Sequence, residues 1–495
     1  MELLVHRQAP GWRVTRLGGT VGLALVVALS VLLALGSAQA KAGFSIGLQD
    51  DGFRSDASAD QAATAWAAER AIHGSYVRVG VPWAQLVHDA KNSQPPAGFN
   101  QADPGSPGYD WSRVDDAVRS VAAHHKKIIF VTQGAPQWAI GPGSPGPNVG
   151  QGAWNPNPDK FSQFIHAAAI RYSGHFPDPM KRGASLPRVR YWEPWNEPNI
   201  PGFFSAPDPV SAYRVLLNRA YAALKAIHRD NLVILGGLAP VKPFPDSFTP
   251  LDFAASVLCM RRVGTHFRAA RGCHQRANFD ALGIHSYTLG ATPTRHAAIP
   301  GDTFPADIGE AHNLVQAEDR LHGGHHQTWV TEFAWFTNPP NPRFGDSDAK
   351  AARYVAYSMY EMWKSGVSVV IWFTVIDLPP SESDAGRGLY YAPGQPKLDL
   401  QAFTFPVIAS VRHRHGFVWG RAPVSHSVRV VVQRSVGGRW RTVARTRSGS
   451  DGVFLVFFGA RRNGLYRAKV VRGPVSLPYN SRPIPPILTR PINFG

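Results

Sequence analysis

From residue 43 to about residue 412 the chain alternates short runs of β-branched and aromatic residues with longer stretches whose apolar positions recur every three or four residues. This alternation predicts repeated β/α units around a parallel sheet. The strand-like runs are Phe44–Leu48, Tyr76–Val81, Lys127–Thr132, Arg188–Trp192, Val233–Gly237, Phe279–His285, Gln327–Glu332 and Val367–Thr374. Helical stretches between them include Ala57–Ile72, Trp111–His124, Val210–Ile227 and Ala349–Ser365. Eight units in this length average roughly 46 residues each, which suits a (β/α)8 TIM barrel with long loops.

After Arg414 the pattern changes to Val428–Arg434, Trp440–Arg445, Val453–Phe458 and Tyr466–Val471, short alternating runs separated by Gly-Gly, Ser-Gly and Asn-Gly turns. These predict a small all-β, sandwich-like domain over residues 413–480, followed by an extended Pro-rich tail over 481–495. At the other end, three arginines precede an apolar run from Val21 to Leu35 and the triplet Ala38-Gln39-Ala40. That is the pattern of an export signal over residues 1–40, with the barrel domain at 41–412. The stretch Leu17 to Gly36 is also long enough to span a bilayer, so an uncleaved anchor is the alternative, and membrane contact is expected only in that case. Either way the protein is expected to be secreted or held at the cell surface.

At 495 residues, with 44% hydrophobic and 11% aromatic residues, the chain has ample apolar surface to bury, and disordered, collagenous and coiled-coil classes are excluded. The net charge of +18 is uneven: residues 412–495 hold 16 Lys and Arg against one acid, Asp451, while the segment 42–411 is neutral. A basic end on a neutral barrel suggests an anionic cell-envelope polymer as partner. A charged face that only keeps the protein soluble is the alternative, and nucleic acid is not expected of an exported chain without a binding motif. The two cysteines, Cys259 and Cys273, lie 14 residues apart between the fifth and sixth strands. In an exported chain they predict a disulfide worth about 3 kcal/mol on a chain-entropy argument.

A parallel barrel carries its chemistry at the C-terminal ends of its strands. Two carboxylates stand there: Glu197, in Tyr191-Trp-Glu-Pro-Trp-Asn-Glu-Pro-Asn199, and Glu332, in Thr328-Trp-Val-Thr-Glu-Phe-Ala-Trp335. They are 135 residues apart, three units of 45, which places them after strand four and at the end of strand seven. Two carboxylates facing across a cleft suit glycoside hydrolysis, where one protonates the leaving oxygen and the other attacks carbon or activates water. No Gly-rich phosphate loop or strand-end lysine points to other chemistry, no His-x-His pair follows the first strand, and neither cofactor nor metal is expected. Glu193, earlier on the same strand, is the alternative acid, although its position puts it deeper.

The Trp195-Asn-Glu-Pro-Asn199 run with the later Thr331-Glu332 resembles clan A of the glycoside hydrolases, most closely its family 39, with features of family 5. The resemblance covers about 370 residues and implies a retaining hydrolase with Glu197 as acid/base and Glu332 as nucleophile. It also implies that Asn196 meets the sugar 2-hydroxyl and that Tyr287 hydrogen-bonds the nucleophile, with His285 on the same wall. Arg78 is expected to pair with Glu332 and keep it ionised. Trp372 corresponds to a sugar platform, and Trp138 and Trp335 are candidate stacking residues, with ordinary core or loop packing as the alternative for all three. Two other classes stay open: a non-catalytic carbohydrate- or envelope-binding barrel, and a polyanion-binding surface protein carried by the basic domain.

Overall fold

A computed structural model of the chain describes residues 43–480, apart from 55, 383, 413–414 and 460–463. The expected leader and the Pro-rich tail lie outside the described residues. Among the described residues no helix is long and apolar enough to cross a membrane.

Eight parallel strands close a barrel: β1 (Ser45–Gln49), β2 (Tyr76–Pro82), β3 (Lys127–Gln133), β4 (Tyr191–Pro194), β5 (Leu232–Leu238), β6 (Ala281–Ser286), β7 (Gln327–Phe333) and β8 (Val367–Phe373). Closure comes from β8 pairing with β1, with Ser45 opposite Val369 and Gln49 opposite Phe373. The helices between them are α1 (Ala59–Ile72), α2 (Ser112–Ala123), α3 (Pro158–Arg171), α4 (Pro209–Ile227), α5 (Pro250–Val257), α6 (Ile308–His322) and α7 (Asp348–Lys364), and α8 (Leu398–Thr404) follows β8. Their starts are written in the sequence. Asn157, Asp208 and Thr249 each cap a helix whose first residue is proline, and Ser58 forms a capping box with Gln61. The largest shift from expectation is β4, expected at Arg188–Trp192: its pairing with β3 begins only at Tyr191, opposite Ile129, so residues 188–190 precede the ladder.

The barrel interior is filled from below by Tyr76, Ile129, Tyr191, Ile234, Ala281, Trp329, Val369 and Ile371. Tyr76 packs edge-on against Tyr191 and Trp329, with ring centres 5.2 and 5.5 Å away. The lumen is therefore a packed core, and polar groups can gather only above this layer. Gly47 is required here, because a Cβ would overlap the Tyr76 carbonyl.

The antiparallel part comprises β9 (Val407–Arg412), β10 (His415–Arg421), β11 (Arg429–Val436), β12 (Arg439–Arg447), β13 (Val453–Gly459), β14 (Leu465–Val470) and β15 (Tyr479–Asn480). One sheet has the order β9-β10-β13 and the other β12-β11-β14-β15. The pair β9 and β10 is absent from the sequence expectation. Val407, Ile408, Ala409 and Val411 are all buried, so β9 shows no alternation to betray it. Trp419 of β10 packs on Tyr360 and Trp363 of α7 with ring centres 5.5 and 5.6 Å away. Arg421 reaches the carboxyl end of α1, donating to the carbonyls of Ile72 and His73 at 3.4 and 3.5 Å. Asp451 in turn accepts from the amide of Phe44 at 3.0 Å. Cys259 and Cys273 are joined as a disulfide in the excursion between β5 and β6.

Candidate active site

Above the apolar layer, Arg78 sits on β2 with its side chain wholly excluded from solvent. Its guanidinium ties four elements together. Nε donates to Glu193 Oε2 at 2.8 Å, Nη1 to Glu332 Oε1 at 2.6 Å, Nη2 to Asn196 Oδ1 at 2.8 Å, and Nη1 also meets Gln49 Oε1 of β1. Burial alone would lower the pKa of Arg78, but the charges of Glu193 and Glu332 raise it above the ordinary value.

Glu332 faces inward because β7 bulges. Ile284 of β6 lies opposite Val330 and His285 opposite Glu332, while on the other side Val370 faces Val330 and Trp372 faces Phe333. The extra residue lets two consecutive side chains turn into the lumen. Thr331 donates to Glu193 Oε1 at 3.1 Å, and Glu332 meets Arg78. The hydroxyl of Tyr287 donates to Glu332 Oε2 at 2.8 Å. Burial pushes the Glu332 pKa up, but His285, Arg78 and the Tyr287 hydrogen bond outweigh it and hold the carboxyl below its usual range. The Tyr287 hydroxyl is pushed well above its own range, first by burial and then by the neighbouring Glu332 charge.

Glu197 follows β4 in a loop where Trp195 and Glu197 both have positive φ, 77° and 47°. Such backbone costs about 1–3 kcal/mol per residue and persists only where the surroundings enforce it. Here the indole of Trp195 donates to the Phe203 carbonyl at 2.7 Å, and the Glu197 amide donates to the Gly237 carbonyl at 3.0 Å. His285 Nδ1 is 2.7 Å from Glu197 Oε1 and 3.5 Å from Glu332 Oε2. Ligand atoms of Glu197, His285 and Glu332 all lie within 4.8 Å of one another, the one group of this kind among the described residues close enough to hold a cation. In this structure His285 Nδ1, Glu197 Oε1 and both Glu332 oxygens are engaged with one another, with Tyr287 and with the Arg78 guanidinium. Glu197 keeps 14% and Glu332 10% of the side chain exposed, so both reach the cleft, whereas Glu193 keeps none.

No family model matches the chain, and no curated protein matches it. Solved structures do. A family 39 glycoside hydrolase from the gut symbiont Bacteroides cellulosilyticus aligns with a TM-score of 0.51 at 15% identity, over 85% of this chain and 81% of that one. The likeness is one of fold. A glucosidase from Croceicoccus marinus follows at a TM-score of 0.48 and 13% identity, over 85% of this chain and 93% of that one. A family 30 endoxylanase from Clostridium papyrosolvens has a TM-score of 0.45 and 12% identity, over 85% and 94% of the two chains.

Within this barrel the structure gathers Arg78, Asn196, Glu197, His285, Tyr287 and Glu332, but it does not bring the three tryptophans to the cleft. Trp372 is fully buried, alternating with the lumen residues Val369 and Ile371, so it faces outward onto Phe403 of α8. Trp335 is buried against Tyr354 with its indole on Asp346 at 3.1 Å, and Trp138 is buried against Trp83 and Phe99. None offers a ring face to a sugar. Strand alternation instead turns the partly exposed Phe373 inward, with the Arg387 guanidinium 4.3 Å from its ring centre. Phe373, Arg387 and Gln49 are absent from the sequence reading. Two-residue periodicity counted from Ile371 would have pointed to Phe373, whereas Arg387 comes from a loop that carries no such signal.

Proposed function

We propose that the protein is a retaining glycoside hydrolase. The observation that carries this reading is the pair Glu197 and Glu332, with oxygens within 4.8 Å at the top of the barrel and in unlike surroundings. Retaining pairs stand about 5–5.5 Å apart, and inverting pairs need roughly 6.5–9.5 Å to admit a water. Glu332, held ionised by His285, Arg78 and Tyr287, attacks the anomeric carbon. The glycosidic C–O bond breaks, its oxygen takes the proton of Glu197, and a glycosyl ester forms on Glu332. Water, deprotonated by Glu197, then attacks the same carbon and releases Glu332. Because His285 engages Oε1 of Glu197, the oxygen left to serve the leaving group is Oε2. Asn196, oriented by Arg78, is the donor for the hydroxyl beside the reacting carbon.

The substrate class is an oligo- or polysaccharide. The leader-like residues 1–40 and the Cys259–Cys273 disulfide favour an exported enzyme, with a barrel unit followed by a basic antiparallel unit that begins at β9 and holds it near an anionic envelope polymer. The deciding experiment is release of p-nitrophenol from a panel of aryl glycosides, with Glu332→Ala as control and azide as rescuing nucleophile. Rescue should give a glycosyl azide of inverted configuration. Retained configuration in that product would remove Glu332 from the nucleophile's role.

A further inference from the structure

On β11 and β14 the residues that alternate with the buried Val430, Val432, Ala468 and Val470 form the outer face of the second sheet. That face carries five basic side chains, Arg429, Arg445, Arg447, Arg467 and Lys469, and no acid, among uncharged neighbours such as Val431 and Gln433. Arg429 stands directly opposite Arg447 of β12, and Val431 lies between Arg445 on one side and Lys469 on the other. Arg467 comes next, its Nε donating to Gln433 Oε1 at 2.8 Å and its guanidinium stacked 4.3 Å from the ring centre of Trp440. Arg429, Arg445, Arg447 and Lys469 are exposed.

Among the described residues no acid forms an ion pair with this face. Asp451, the one acid in residues 412–495, is turned to the amides of Phe44 and Val453, each at 3.0 Å. The residues outside the described set contain a single acid, Glu2. Like charges directly opposite each other destabilise a sheet, and an anionic ligand would relieve that repulsion.

We infer that this face binds a carboxylated polysaccharide. Guanidinium forks match carboxylates, and the part-exposed Trp440, held against Arg467, adds an aromatic side chain beside them. Strands lie about 4.8 Å apart, so Arg445 and Lys469, two strands from each other, are separated by roughly 10 Å, the scale of a disaccharide. A nucleic acid is less well matched, since one tryptophan offers no row of stacking platforms. The choice of a glycan rests on the proposed function, although the binding face itself does not depend on catalysis.

The test is affinity electrophoresis of the full chain in native gels containing polygalacturonate, dextran or duplex DNA. Polygalacturonate should retard the protein and dextran should not. The triple variant R429Q/R445Q/K469Q should weaken retardation about tenfold and W440A severalfold, and added salt should weaken it further as the screening length falls to about 8 Å. A charge-matched variant on the barrel surface, K91Q/K181Q/R182Q, should stay within about twofold of the wild type. Equal loss in the charge-matched variant, or no retardation of the wild type, overturns the inference. Tighter retention by DNA with the same dependence on the face variants would make it a nucleic-acid surface instead. Aryl-glycoside cleavage by the triple variant should match the wild type, so a failed binding face and a failed hydrolase reading give different results. Single variants R445Q and K469Q, each with a smaller loss, keep the test open if the triple variant does not fold.

Discussion

Arg78 Nε and Glu193 Oε2 are 2.8 Å apart, and neither side chain is exposed to solvent at all. This contact distinguishes the two glutamates of the Glu-Pro-Trp-Asn-Glu run. Glu193 neutralises a buried guanidinium, and Glu197, four residues on, faces the cleft. Replacing Arg78 by Met would leave Glu193 and Glu332 as neighbouring buried carboxylates. The expected cost is about 3–5 kcal/mol, read as a lower denaturant midpoint at neutral pH. A loss under about 1 kcal/mol would mean that the ion pair contributes little to the barrel.

The acid limb of kcat/KM should lie below the ordinary glutamate value of about 4.3, because the proposed nucleophile Glu332 has to be ionised to attack and its pKa is depressed. Removing the Tyr287 hydrogen bond with Tyr287→Phe should move that limb upward while leaving the fold intact. An unmoved limb would show that the hydroxyl does not act on Glu332.

Gly237 faces the site with φ +61°, and a Cβ there would overlap Glu193 Oε1 and come within 3.0 Å of His285 Nε2. Gly237→Ala should therefore lower both stability and kcat, measured by thermal unfolding and turnover of an activated aryl glycoside. Wild-type turnover in this variant would mean that the His285 and Glu193 positions are looser than the packing implies.

Trp372→Leu should destabilise by about 2–4 kcal/mol with little change in KM, because the ring is packed between the barrel and α8. Phe373→Leu should do the reverse, raising KM at nearly constant stability. Michaelis constants and unfolding midpoints of the two variants separate the roles.

These two neighbours show how far the sequence could be read. Eight strands were legible because apolar runs alternate with helical periodicity, and the strand-end carboxylates followed from unit spacing. The inward or outward aim of a particular side chain was less legible. Trp372 belongs to the outward parity of β8, which emerges only once Val369 and Ile371 are known to fill the lumen. Glu332 points inward through a bulge at Thr331, and an extra unpaired residue leaves no mark on a hydrophobic pattern. The partnership of Arg78 with Glu193 spans 115 residues and depends on barrel closure.

Glu69 of α1 is fully buried beside Lys126 at 3.2 Å, and burial, only partly offset by that lysine and the Gly74 amide, raises its pKa to about 7. A carboxyl with a raised folded pKa contributes stability below its unfolded value and loses that contribution as pH rises through the folded value. Between pH 5 and pH 8 the protein should lose roughly 3 kcal/mol from this group, and Glu69→Gln should flatten the profile. Urea unfolding at the two pH values measures it, and an equal slope in the variant would assign the dependence to other groups.

Arg421 under the carboxyl end of α1, together with Asp451 on the amide of Phe44, has a mechanical consequence. A catalytic unit on a slack tether sweeps a volume around its attachment point and meets bonds in any orientation. Here the β sheets are bolted to the barrel wall at both of those contacts and by Trp419, so the distance and angle from the basic face to the cleft are set by the fold. A polymer held on that face would be presented to the cleft at a constant offset, and cleavage should fall at a preferred distance from the bound segment, giving products of narrow size distribution.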